Sequence, residues 1–103
     1  MITALVQIKF PQPVALDKAK QLFLGSAPGY KGVKGLVRKY YILSDDGLTG
    51  GGVYLWQSRA EAEQFYDDDW KNKIQERYGS RPVVSYFSSP VIVDNLAGEI
   101  IQA

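Results

Sequence analysis

Lysine, arginine, tyrosine, serine, threonine and the carboxylates are the side chains this sequence offers for moving protons or holding charge, because histidine and cysteine are both absent. That absence excludes thiol chemistry, serine–histidine triads, a disulfide framework, thiolate or imidazole zinc sites and histidine-ligated haem. An intrinsic metal site would have to be built from oxygen ligands. Two pairs have strand spacing: Lys39 with Tyr41, and Tyr54 with Trp56. Residues two apart in a strand share a face, so each pair points one way, while Arg38 and Tyr40 point the other.

Three further clusters carry less. Asp67-Asp68-Asp69 lacks the spaced ligands and central glycine of a calcium loop and suits the start of a helix, so no metal is expected. Gly50-Gly51-Gly52 precedes a strand and is not followed by Lys-Ser or Lys-Thr, which reads as a turn or bulge and not as a nucleotide cradle. Tyr30 beside Lys31 and Lys34 has the composition of an anion-binding loop, although a solvated loop accounts for it more simply.

The elements that must position these residues follow from periodicity. Thr3 to Phe10 alternates, with Ala4, Val6, Ile8 and Phe10 on one side and Leu5, Gln7 and Lys9 on the other, which predicts a strand. Pro11 and Pro13 end it; Leu16, Ala19, Leu22 and Phe23 then recur at helical spacing up to Gly25. A proline- and glycine-containing loop covers 27–33. A second strand runs from Gly35 to about Leu43, and Ser44-Asp45-Asp46-Gly47 forms the hairpin turn into a third, Gly51 to Gln57. Ser58 and Glu61 have capping-box spacing, so a second helix starts there, with Ala62, Phe65 and Tyr66 inward. The aspartates restart it as a second helical piece whose Trp70, Ile74 and Tyr78 share a face and whose Gly79 supplies the left-handed stop. Pro82 to about Val93 reads as a fourth strand. The stretch 94–103, with Leu96, Ile100 and Ile101, reads as an apolar arm.

The order is βαββαβ, an α+β ferredoxin-like arrangement with an antiparallel sheet and helices on one face. Its 103 residues make one domain, since a domain runs roughly 100 to 150 residues. Strand one is apolar on both faces, so burial of both in a dimer is expected. A net charge of +1 argues against nucleic acid as partner. No apolar run approaches the roughly 20 residues of a membrane helix, and the opening residues lack a signal peptide's features; a cytoplasmic location is the expectation.

Gly35-Leu36-Val37-Arg38-Lys39-Tyr40-Tyr41, Gly51-Gly52-Val53-Tyr54-Leu55-Trp56, Ser58 with Ala60 and Ala62, and Pro90-Val91-Ile92-Val93 resemble the YdhR-like mono-oxygenases of the dimeric α/β-barrel superfamily, over nearly the whole chain. The resemblance implies a homodimer with a pocket between sheet and helices in each subunit. It also implies cofactor-independent oxygenation of an electron-rich phenol or quinol, in which the substrate's anion passes an electron to dioxygen and the protein stabilises that anion and excludes water. Haem-degrading relatives need a histidine that this chain lacks. On this resemblance Lys39, Tyr41 and Tyr54 are the catalytic candidates, Lys39 lowering the substrate's pKa by its charge and a tyrosine relaying the proton. Gln7, Trp56, Phe65, Trp70 and Tyr86 are the substrate-binding candidates, with no cofactor and no metal.

Each choice has a plainer reading. Tyr54 and Trp56 suit a sheet core, Lys39 a surface stem, and Trp70 the buried face of its helix. The alternative function is a non-catalytic dimeric barrel that binds an aromatic metabolite, and a third possibility is a pocket filled by the chain's own rings.

Overall fold

The computed structural model describes residues 1–103. Eight residues of alternating burial form β1 (Ile2–Lys9), followed by α1 (Leu16–Ser26), a 3-10 turn (Ala27–Tyr30), β2 (Leu36–Leu43) and β3 (Thr49–Trp56). Next come α2 (Arg59–Phe65), α3 (Asp68–Tyr78), β4 (Val83–Ser88), β5 (Val91–Asp94) and β6 (Glu99–Gln102). The main sheet is antiparallel in the order β2-β3-β1-β4, the ferredoxin-like topology, with the helices on one face.

The period of two in β1 decides the layering. Ala4, Val6 and Ile8 are buried on the helix side, where Tyr54 and Trp56 of β3, Ala62 of α2 and Tyr66 join them in the core. Thr3, Leu5 and Gln7 face the other way. Strand β2 carries a bulge: Leu36 pairs with Trp56, but Lys39, not Arg38, lies opposite Tyr54. The extra residue resets the alternation, so Lys39 and Tyr41 face the helices while Arg38 and Tyr40 face outward.

Helix ends follow the sequence closely. Ser58 caps α2 by accepting from the Glu61 amide at 3.2 Å, and its hydroxyl donates to the Glu61 carboxylate at 2.9 Å. The return bond thus runs side chain to side chain, whereas the expected capping box would place it on the Ser58 amide. Asp67 caps α3 by accepting from the Trp70 amide at 2.8 Å, and Gly79 ends that helix at φ 91° with its N–H on the Gln75 carbonyl.

Four expectations are corrected. Helix α1 passes through Gly25, where a side chain would meet the Arg77 guanidinium at 3.2 Å. The glycine run is neither turn nor bulge: β3 begins at Thr49, ahead of the expected Gly51, and pairs regularly through all three glycines. Gly51 has φ 143° and a Cβ there would strike the Val6 carbonyl, so the strand tolerates only glycine at this point. The fourth strand stops at Ser88, because Pro90 cannot donate to a ladder. The C-terminal arm folds back as β6 against β5, a separate two-stranded hairpin.

Candidate functional site

A cavity of about 180 Å³ lies between the helix-side face of the sheet and the two long helices. Its floor is Val6 and Ile8 of β1, with Lys39, Tyr41 and Tyr54 from the neighbouring strands. Strand register sets these neighbours: Tyr54 stands opposite both Ala4 and Lys39, and Tyr41 stands opposite Gly52. The missing side chain of Gly52 makes room here. A Cβ would sit 2.9 Å from Tyr54 Cε1 and 3.0 Å from Lys39 Cε.

Lys39 is the electrostatic centre. Its ammonium lies 3.3 Å from the ring centroid of Tyr30, 3.7 Å from that of Tyr41 and 4.6 Å from that of Tyr54. No carboxylate pairs with it, the ion pairs being Arg38 with Asp94, Arg59 with Glu63 and Arg81 with Asp68. Burial first, and the nearby Arg77 second, push the amine down to about 7. The three ring faces act in the opposite sense, favouring the cation. An amine and an ammonium are both accessible near neutral pH, so this side chain can take up a proton and then hold the anion that the proton leaves behind.

Two of the phenols around it, Tyr54 and Tyr41, stay protonated. Burial, with the Tyr30 phenol alongside, raises Tyr54 far above the ordinary tyrosine range, and burial also raises Tyr41. Tyr41 shares a 2.7 Å hydrogen bond with the Ser26 hydroxyl and stacks on Phe23 with centroids 4.7 Å apart. Tyr30 accepts from Trp70 Nε1 at 3.1 Å, which ties the 3-10 turn to α3 across the cavity. These groups donate hydrogen bonds and form walls; Lys39 is the one among them suited to exchanging a proton near pH 7.

The sequence candidates separate into three groups. Lys39, Tyr41, Tyr54 and Trp70 meet at the cavity. Trp56 and Phe65 form an aromatic layer behind it: Trp56 is fully buried, stacks on Tyr54 and donates to the Tyr66 hydroxyl at 3.0 Å, while Phe65 packs on Trp56, Tyr30 and Trp70. Tyr86 and Gln7 are elsewhere. Tyr86 lies across β1 on β4, against Tyr66 and under the Arg59 guanidinium. Gln7 is exposed on the opposite face of the sheet, because the alternation that buries Val6 and Ile8 turns it outward.

Several cavity residues were outside the sequence candidates, Ser26, Tyr30, Lys73 and Arg77 among them. A signal existed for two. Lys73 and Arg77 lie three and seven positions after Trp70, on the same stripe of α3 as Ile74 and Tyr78. Tyr30 had no periodic signal, since the 3-10 turn that aims it inward follows from Pro28 and from the end of α1.

No family model and no curated protein matches the sequence. Among solved structures, the chain is similar to the crystal structure of a monooxygenase from the gene ActVA-Orf6 of Streptomyces coelicolor in complex with the ligand nanaomycin D. The TM-score is 0.64 at 19% identity, over 85% of this chain and 86% of that one. The fold is therefore the ferredoxin-like α+β fold of that monooxygenase.

Proposed function

We propose that this protein is a cofactor-independent mono-oxygenase, working as a homodimer on an electron-rich phenol or quinol held in the cavity. One observation carries the reading: an amine with no carboxylate partner, over three phenol rings, at the floor of a cavity walled by apolar side chains. The likeness in fold to a monooxygenase is consistent with it.

The chemistry needs little from the chain. The Lys39 amine takes the phenolic proton and stays beside the phenolate as an ammonium, while Tyr54 and Tyr41 remain protonated donors. The phenolate passes an electron to dioxygen, and the two radicals combine at a ring carbon. Loss of water then gives a quinone, so a phenol with a free ring C–H plus one dioxygen yields one quinone and one water. The O–H and C–H hydrogens leave in that water, and no external reductant is required. Water excluded by Trp70, Phe23 and Ile74 keeps the phenolate from being reprotonated by solvent.

The test is oxygen uptake by the purified protein across a panel of phenols and hydroquinones, repeated with Lys39→Met. Uptake equimolar with substrate, reduced on the order of 100-fold in the variant, is expected from loss of a general base. No uptake with any substrate overturns the oxygenase reading, and saturable binding in that case leaves a barrel that only holds its ligand.

A further inference from the structure

Helix α3 turns a single stripe toward the cavity: Trp70, Lys73, Ile74, Arg77 and Tyr78. With Lys39 opposite, three cations border one small space, and no acidic side chain lines it. None of the three has a carboxylate within ion-pair distance, whereas Arg38, Arg59 and Arg81 all do. In a chain of net charge +1 this is a local excess of unpaired positive charge around an otherwise apolar and phenolic cavity.

The cations sit at two depths. Lys39 is half-buried at the floor, while Lys73 and Arg77 are exposed at the rim. Arg77 is held in place: one Nη donates to the Leu22 carbonyl at 3.0 Å, over Gly25, whose lack of a side chain lets the guanidinium approach α1. That bond uses part of a five-donor fork and leaves the rest for a ligand, with the side chain's freedom already reduced. The volume sets the size of that ligand. A cavity of roughly 150 Å³ accepts one benzene ring, so about 180 Å³ suits one substituted ring, with room for a substituent at the open rim.

We infer that the ligand is a single-ring hydroxyaromatic carboxylate, its phenol on Lys39 at the floor and its carboxylate on Arg77 and Lys73 at the rim. This names the substrate class of the oxygenase pocket and rests on that reading for the phenol end. The carboxylate end rests on the rim alone. Arg77 offers the planar, bidentate geometry that a carboxylate matches, and Lys73 adds charge one turn away on the same helix.

The experiment is calorimetric titration of the full chain with 4-hydroxybenzoate and with its methyl ester, which keeps the phenol and removes the anion. The acid is expected to bind at least about tenfold tighter than the ester, with the preference shrinking at high salt because the rim charges face solvent. In Arg77→Met/Lys73→Met the preference is expected to fall to about twofold or less. Equal binding of acid and ester by the unaltered protein, or no measurable binding of either, overturns the proposal without need of any variant; so does a preference that survives in the double variant. Oxygen uptake is measured separately with the same two compounds. Preferred binding of the acid, with no uptake from it or from any phenol or hydroquinone of the panel, sustains the carboxylate anchor and removes the oxygenase, whereas equal binding and equal uptake of acid and ester do the reverse.

Discussion

Lys39 carries the sharpest consequences at the scale of a single residue. Its ordinary value of 10.5 falls to about 7 in the folded chain, through burial first and Arg77 second. Between those values the unfolded chain binds a proton that the folded chain does not, so the stability set by this group rises as pH increases from about 7 toward 10.5. Below about 7 both states are protonated, and the fold carries a buried ammonium without a counter-charge. Lys39→Met keeps the stem and removes that charge. The variant is therefore expected to be more stable than the parent by about 2 kcal/mol at pH 6, with the gap narrowing by pH 9, as read by urea unfolding at both values. Activity moves in the other direction. If the free amine is the base, kcat/KM for a phenol should rise through pH 7 and level above it, and the Met variant should lose that limb. A pH profile that is flat from 6 to 8 in the parent would remove Lys39 from the proton transfer. The sequence made this residue visible through its two-residue spacing with Tyr41, but the parity that links strands was another matter. Gln7 was expected beside it, and the outward turn of Gln7 follows only once Val6 and Ile8 are known to face the helices.

At the scale of elements, the site depends on two devices that hold side chains apart or in line. Gly52 is the first. A methyl group there would meet Tyr54 Cε1 at 2.9 Å, Lys39 Cε at 3.0 Å and the Tyr40 carbonyl at 3.1 Å. The lysine stem can give way, but the carbonyl is fixed in the β2–β3 ladder. Gly52→Ala should cost about 1 to 3 kcal/mol by thermal or urea unfolding and displace Lys39 from its ring cage. An unchanged stability and an unchanged ligand affinity would contradict the crowding argument. The second device is the Asp67 cap, which starts the helix that carries five cavity residues. Asp67→Ala should lower stability by about 1 kcal/mol, and amide exchange should speed up in the first turn of α3. Caps and stops were the most legible features of the sequence, because Ser58, Asp67 and Gly79 act through their nearest neighbours in the chain. The glycine run was misread for the opposite reason. Each of its three members answers to a partner remote in sequence: Phe10 over Gly50, the Val6 carbonyl against Gly51, and Lys39 beside Gly52. The same holds for the last strand. The expected strand ran through Pro90 to about Val93, and the pairing of β5 with β6 depends on a turn at 95–98 whose Gly98 takes φ 68°.

At the scale of the whole molecule, the helices bury one face of the sheet and leave the other uncovered. Phe87 and Tyr40 on that outer face are 54% and 55% exposed, and Leu5, Val53 and Leu55 beside them are only partly covered. The β5–β6 hairpin stands next to this face, tied by Arg38 to Asp94 at 3.9 Å and by the Thr3 and Ser89 hydroxyls, and presents Val91 and Val93 to solvent. An apolar sheet face flanked by an apolar hairpin suits a second copy of the same sheet, which would bury both faces at once and give a closed two-fold pair. A stable pair of this kind covers about 1,600 Å² in total. Sedimentation velocity at micromolar concentration is therefore expected to give a dimer. Phe87→Glu with Val53→Glu places charge at two points of the face, away from the cavity, and should give a monomer whose secondary structure persists by circular dichroism. Because the floor of the cavity is the other face of the same strands, that monomer should also bind a phenol more weakly, as β2 and β3 lose their support. A monomeric parent protein would dispose of the barrel, and would leave Lys39 and its rings as the site of a single sheet.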